Sequence, residues 1–310
     1  LGWIRRWGVL GVWLALFIGV NLWLFGHAFT AYRALGASVW VQIARGCGAC
    51  LNLDGPLLLV PMLRHLWTSV RRSRWERLLP LDESVNIHRL LGEVVFGLSV
   101  VHTLAHLLNV ATSAAPLWSP ANRTGFALLG LLVLIWACAR DRVRAAGHFE
   151  LFHRVHASYW LWFVIAVLHG PVFWIWLLAP GIAYIAERTL RRSLRRPPVP
   201  ILEARPLASG VTHLRFARPP GFVYDAGDFV YLRVPAVARS EWHPFTLTSA
   251  PEEPEALGVH VRTLGNWTRA LRERFTAPGS HRGQHIDVDG PYGTPSVHIR
   301  ECEHVVTIAA

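Results

Sequence analysis

The sequence predicts a membrane-embedded all-α bundle of six helices followed by an antiparallel β-barrel. Three observations predict it. Apolar runs long enough to cross a bilayer fill the first 190 residues. Arginines collect in alternate loops between those runs. From about residue 197 the pattern changes to short alternating segments parted by Gly and Pro.

Composition sets the outer bounds. Of 310 residues, 52% are hydrophobic and only 16% charged, which excludes a disordered or collagenous chain. Four cysteines, Cys47, Cys50, Cys138 and Cys302, are too few and too scattered to staple a fold. Lysine is absent, and the net charge of +11 rests on arginine alone. Such a charge suits nucleic acid or the cytoplasmic flanks of a membrane protein, and the arginine positions decide between them.

Crossing the bilayer core takes roughly 20 mostly apolar residues. Six segments qualify: 8–26, 49–70, 88–111, 124–140, 150–169 and 172–188. The first is too long for a signal peptide, lacks a small-residue cleavage site, and is followed by further spans. Arg5 and Arg6 precede span one, and Arg71, Arg72, Arg74 and Arg77 lie between spans two and three. Arg140, Arg142 and Arg144 lie between four and five, and Arg188, Arg191, Arg192, Arg195 and Arg196 follow span six. The other loops hold only Arg33, Arg45 and Arg123. Positive charge stays on the cytoplasmic side, so both ends of the six-span region are expected there. Arginines dealt out among loops, rather than gathered on one face, argue against nucleic acid.

The linker RRPPVP (195–200) ends the helical pattern, because proline lacks a backbone donor. Strands are then expected at Val211–Phe216, Phe229–Val234, Gly258–Arg262 and His285–Val288.

Ionisable side chains at bilayer depth are costly and mark function. The third run carries His88, His102 and His106; the fifth carries His153, His156 and His169. Imidazole is a common iron ligand, and a haem held between two helices takes one from each. His88 and His102 are separated by about 21 Å of helix, and His156 and His169 by about 19.5 Å. Spans three and five run parallel, so the sequence predicts two stacked haems. His88 and His156 would grip the inner one, His102 and His169 the outer one. Fourteen residues return the helix to the same face, but thirteen leave His156 and His169 about 140° apart on a straight helix. Periodicity alone does not select that pair, and a bend near Gly170-Pro171 is the expected remedy. Cys47-Gly48-Ala49-Cys50 is followed by Leu51 rather than His, so covalent haem attachment is not indicated and two small buried residues are expected.

HRLLGEVVFGLSVVHTLAHLLN (88–109), GHFELFHRVHASYWLWFVIAVLHGP (147–171) and HPFTLTSAPEE (243–253) resemble the NADPH oxidase family. ERLLPLD (76–82) and EWHPFTLTSAPE resemble its calcium-regulated branch. The resemblance implies two b-type haems on the four histidines named, and so supplies the pairing that periodicity did not. It places Arg45 and His106 beside the outer haem, where molecular oxygen is reduced to superoxide. A cation and a donor there would stabilise the anion as it forms; Arg45 would equally suit a haem propionate or a lipid headgroup. Trp162, six residues past His156, lies between the two haem positions, where it serves either packing or the electron path.

His243-Pro244-Phe245-Thr246 is similar to the FAD motif of the ferredoxin-reductase-like barrel, in which an aromatic covers the isoalloxazine ring and a hydroxyl lies near its N5. Thr248 and Ser249 follow on the same turn. His260 and Arg262 share one face of a strand, and Gly265-Asn266-Trp267-Thr268 opens a helix whose start suits a pyrophosphate. Asp289-Gly290-Pro291-Tyr292-Gly293 is similar to the segment that closes the flavin barrel. His304–Ala310 then reads as the first strand of a truncated NADPH-binding domain.

The expected organisation is a di-haem bundle over 1–190, an FAD barrel over 197–300 and the start of a nucleotide domain over 301–310. A chain opening on Leu1 is expected to be a piece of a longer one, with NADPH bound beyond this piece and any calcium-sensing region before it. Two rivals share parts of this layout: a ferric-chelate reductase with the same wiring, and a haem-free transporter with a tethered barrel.

Overall fold

The computed structural model describes residues 2–71, 73–113, 116–145, 149–194 and 196–293. The expected strand at His304–Ala310 and the third domain lie outside them. The chain divides into two compact units, one of Leu1–Leu63 with Glu76–Ala186, the other of Arg64–Trp75 with Glu187–Ala310.

The first unit is helical. Its long elements are α1 (Gly2–Ala34) and α2 (Val39–Leu57), running on through a 3-10 turn at Val60–Met62. Short α3 (Arg64–Arg71) belongs to the second unit. Next come α4 (Ser84–Ser113), α5 (Pro120–Cys138), short α6 (Asp141–Ala145), α7 (Phe149–His156), α8 (Tyr159–His169) and α9 (Phe173–Ser193). Local chemistry sets the starts. Ser38 caps α2 by accepting from Val41 N, and Ser119 caps α5 by accepting from Asn122 N, with Pro120 at the first helical position. Gly36, at φ +71°, turns the chain between α1 and α2.

Among the described residues five helical stretches are long and apolar enough to cross a membrane: Trp7–Ala34, Val39–Met62, Leu81–Ser113, Pro120–Cys138 and Phe149–His169. α9 is also a helix, but its apolar part stops at Ala186, before Glu187, Arg188, Arg191 and Arg192. The second span begins ten residues earlier than hydropathy suggests, because Gln42 and Arg45 lower the apparent hydropathy of a helix that nevertheless buries Gln42 and Ala44.

The fifth span is not one straight helix. α7 and α8 meet at a turn over Ala157-Ser158, where Ser158 N–H reaches Val155 O (3.0 Å) and Leu161 N–H reaches Ser158 O (3.0 Å). These i→i−3 bonds overwind the chain, in the direction that the thirteen-residue spacing requires. α8 does end at Gly170, whose backbone is extended, but the break that lies between the two histidines is the one at Ala157-Ser158. Leu59, Val95, Leu132, Trp162, Phe163, Ala166 and Phe173 form the buried centre of this unit.

The second unit is a six-stranded antiparallel sheet of β1 (Val199–Pro206), β2 (Val211–Ala217), β3 (Phe229–Arg233), β4 (His243–Thr246), β5 (Ala256–Arg262) and β6 (His285–Tyr292), with α10 (Asn266–Arg274) after β5. Strand order is β4-β3-β6-β1-β2-β5. The edge strands meet at the Leu247–Val259 bridge and at the bond from Thr248 N–H to Gly258 O (2.8 Å), so the sheet is barrel-like without a full closing ladder among the described residues. The period of two is visible in β2 and β3, whose Leu214, Phe216, Val230 and Leu232 are wholly buried. β1 escaped the sequence reading because its prolines read as linker. Pro200 sits at the start of the strand, where a missing donor costs least. β4 escaped because Pro244 and its polar side chains hide the alternation.

The arginine-rich loop between spans two and three is more than a membrane flank. Within the second unit, Arg64 lies over the Tyr231 ring at 3.9 Å, and the His65 and Tyr292 rings are 5.2 Å apart. Glu187 accepts from the backbone of His65 (2.8 Å), and Arg191 pairs with Asp289 (2.7 Å). Tyr292 is buried among these groups; that burial, reinforced by the Asp289 carboxylate, pushes its phenol above the usual range.

Candidate haem and flavin sites

Four histidines of the bundle form two pairs. The ring centres of His88 and His156 are 6.0 Å apart, and those of His102 and His169 are 6.2 Å apart. A metal midway between two imidazoles, at the usual bond of roughly 2 Å, would separate the ring centres by about 6.3 Å. Both pairs therefore leave the gap that one iron fills.

Hydrogen bonds fix the other ring nitrogen of His88, His102 and His169. His88 Nδ1 lies 3.0 Å from Leu58 O and His102 Nδ1 2.8 Å from Ala44 O. A carbonyl only accepts, so each Nδ1 carries the proton and each Nε2 keeps a lone pair for a metal. His169 Nδ1 lies 2.9 Å from Thr124 Oγ1, whose hydroxyl hydrogen is directed to Pro120 O or Ala121 O (both 3.0 Å). The hydroxyl then accepts from His169 and fixes the same tautomer.

Glycines line the approach. A Cβ at Gly125 would meet His169 Cε1 at 3.2 Å, and one at Gly48 would meet His102 Cε1 at 3.4 Å. Gly92, one turn beyond His88, faces open space. These bare positions suit a flat macrocycle beside each pair. Thr124, Gly48, Gly92 and Gly125 were not found from sequence; a Thr-Gly step in an apolar helix carries no signal unless its partner is known.

His106 and Arg45 differ in placement. The His106 ring is 4.7 Å from that of His102 and lines a small cavity with His102, Phe126 and His169. Arg45 lies over the Tyr32 ring at 4.9 Å, within electrostatic range of His102, His106 and His169. Trp162 is buried, its ring 5.3 Å from Phe163 and 6.2 Å from Phe173, and its Nε1 has no hydrogen-bond partner among the described residues. Cys47 and Cys50 are free and buried, as small packing residues would be.

On the barrel, β4 and β5 present a polar row. Thr246, Thr248, His260 and Arg262 are exposed, and Thr248 Oγ1 lies 2.9 Å from His260 Nδ1. Pro244 is exposed on the same face as Thr246, while His243 and Phe245 alternate to the other. There the His243 ring stacks on Trp267 at 4.2 Å, and Phe245 follows at 5.8 Å. Three predicted groups are already engaged. The Trp267 indole is buried; Ser249 Oγ accepts from Gly258 N at 3.0 Å; and Thr268 Oγ1 accepts from Leu264 N and Gly265 N, both at 2.9 Å, capping its own helix. What they offer a ligand is a fixed backbone rather than free side chains. His213, not singled out in the sequence, stacks on His260 at 4.5 Å. Burial, then the neighbouring His260, lowers its pKa.

Comparison with known proteins now has a geometry to meet. Residues 46–180 match the ferric reductase like transmembrane component, and residues 197–296 match the FAD-binding domain. Human NADPH oxidase 5 is 40% identical over 96% of the chain, and human dual oxidase 1 is 32% identical over 93%. The chain spans 46% of the first relative and 21% of the second. A flavohemoglobin from Malassezia yamatoensis overlaps 80% of this chain and 62% of its own, at TM-score 0.30 and 12% identity, too slight a likeness to bear on the fold. The helical unit and the barrel are matched separately by parts of one known architecture and jointly by single relatives that carry both, and the chain belongs to the NADPH oxidase family.

Proposed function

We propose that this chain carries electrons across a membrane, from a cytosolic flavin through two b-type haems to molecular oxygen, releasing superoxide on the outer side. The observation that carries the reading is the repeated histidine gap of 6.0 and 6.2 Å, each one iron wide. Haem at each pair and FAD on the barrel would supply the one-electron chemistry.

The chain's own residues do the rest. His88 and His156 hold the inner site; His102 and His169 hold the outer one. Leu58 O, Ala44 O and Thr124 fix the tautomers that leave Nε2 free. Trp162 fills the space between the two levels and shortens the path an electron must cross. His106 and Arg45 place a donor and a positive field at the outer end, where an anion forms. On the barrel, Thr246, Thr248, His260 and Arg262 face the flavin and its phosphates. NADPH is the donor in the longer protein, and a calcium-sensing region precedes this piece. α9 is the sixth span, with both ends of the bundle in the cytoplasm.

The test is a reduced-minus-oxidised spectrum with haem and flavin counted per chain. Two bis-histidine haems and one FAD are expected. A single haem, or none, would sink the wiring. Superoxide measured against ferric reduction in the full-length enzyme then separates an oxidase from a ferric-chelate reductase.

A further inference from the structure

Asp54 is an acid that the electron route does not use. It lies in α2, wholly buried at 0% exposure, one helical turn before Leu58. Its Oδ1 accepts from Asn21 Nδ2 of α1 at 3.1 Å. Asn21 Nδ2 spends its other hydrogen on Phe17 O at 3.2 Å, and Cys50 Sγ donates to Asn21 O at 3.3 Å. Among the described residues two buried oxygens here have no hydrogen-bond partner, Asp54 Oδ2 and Asn21 Oδ1.

The two are orphaned for the same reason. An ionised carboxylate only accepts, and so does an amide oxygen. An unpaired charge inside a bilayer-spanning bundle is very costly. The groups facing this carboxyl are Asn21 and Cys50, and among the described residues no arginine or histidine forms an ion pair with it. A single proton repairs everything at once. Oδ2–H donates to Asn21 Oδ1 while Asn21 Nδ2–H donates to Asp54 Oδ1, closing the two-bond ring that a carboxylic acid forms with a primary amide.

We propose that Asp54 is a proton-binding site, held as the neutral acid against Asn21 and so clamping α1 to α2. A second consequence rests on the haem reading. Leu58 O orients His88, so an ionised Asp54 would set a fixed negative charge near the inner site and oppose an electron arriving there. The bound proton removes that charge.

Infrared spectra of the purified membrane protein test this directly. Wild type minus Asp54→Asn should show the carbonyl stretch of a protonated carboxyl group at neutral and mildly alkaline pH; carboxylate bands in its place overturn the proposal. Thermal unfolding gives a second measure. Asn at this position also donates to Asn21 Oδ1, so Asp54→Asn should melt like wild type, whereas Asp54→Ala should melt several degrees lower. Equal losses in both variants overturn the clamp. Potentiometric titration addresses the charge: inner-haem potential unchanged in Asp54→Asn is expected, and a rise means that an ionised acid was removed. A wild type without haem would end the wiring instead, and would leave the infrared result standing.

Discussion

The inner and outer histidine pairs have nearly the same span but different surroundings. Each leaves room for one iron, with ring planes about perpendicular at 75° and 76°. In the inner pair His88 is oriented by a backbone carbonyl, Leu58 O, which no substitution removes. The outer pair depends on the Ala44 carbonyl and also on a side chain, Thr124, and it has a third imidazole, His106, at 4.7 Å. On the proposed reading one metal would be gripped at each level, and a common bond length accounts for the repeated spacing. Under the proposed function the two ends would differ in what comes next: the inner site would pass an electron on, while the outer site would admit and stabilise a small acceptor.

Removing a ligand makes the largest break. His102→Leu should cost about half the bound haem, and His102→Leu with His156→Leu nearly all of it, read from the Soret band per chain. Full bis-histidine signal in the double variant would leave the pairs without a role. Crowding the outer site comes next. Gly125→Leu puts carbon where His169 Cε1 already sits 3.2 Å from a Cβ, so outer haem should fall while the inner haem stays. Gly92→Leu should do the reverse, because it fills the space beside His88 alone. Losses at both sites from either variant would mean that the bundle had collapsed and that the two ends are not separable.

Much of this was legible in the sequence, and the reasons for the rest are physical. His88 and His102 were readable because fourteen residues return a helix to one face. His156 and His169 were named from their depth and from the family resemblance but not from periodicity, since a turn at Ala157-Ser158 that no residue there advertises overwinds the helix between them. The exposed row of the barrel was readable from the alternation in β5, whereas the commitment of Ser249 and Thr268 to internal bonds was not. A hydroxyl in sequence shows a donor and an acceptor but not which backbone group claims them. Gly125 and Thr124 are visible only once α8 lies against α5.

A middle-sized effect should come from the groups proposed to act on the acceptor rather than on the iron. His106→Ala should keep both haems and lower superoxide formation roughly tenfold, less than the 10²–10³ of a dedicated oxyanion donor. Arg45→Ala should act less, because its guanidinium lies over Tyr32 and works through its field. Superoxide rates unchanged in both variants would remove these residues from the outer chemistry.

The smallest effect tests the asymmetry most closely. Thr124→Val keeps the shape of the side chain and deletes the acceptor of His169 Nδ1–H. A histidine that loses this bond becomes a poorer electron donor to its metal. The ferric state is then less favoured, so the outer-haem potential should rise while the inner one, whose His88 answers to a carbonyl, does not move. Thr124→Ser restores an oxygen at the same reach and should bring the potential back. A packing defect alone would not be repaired by serine, which is smaller than valine, so recovery with serine separates the hydrogen bond from the volume. If both haems shifted together in Thr124→Val, the outer site would owe its character to something other than this hydroxyl, and the distinction drawn between the two ends would fail at its most specific point.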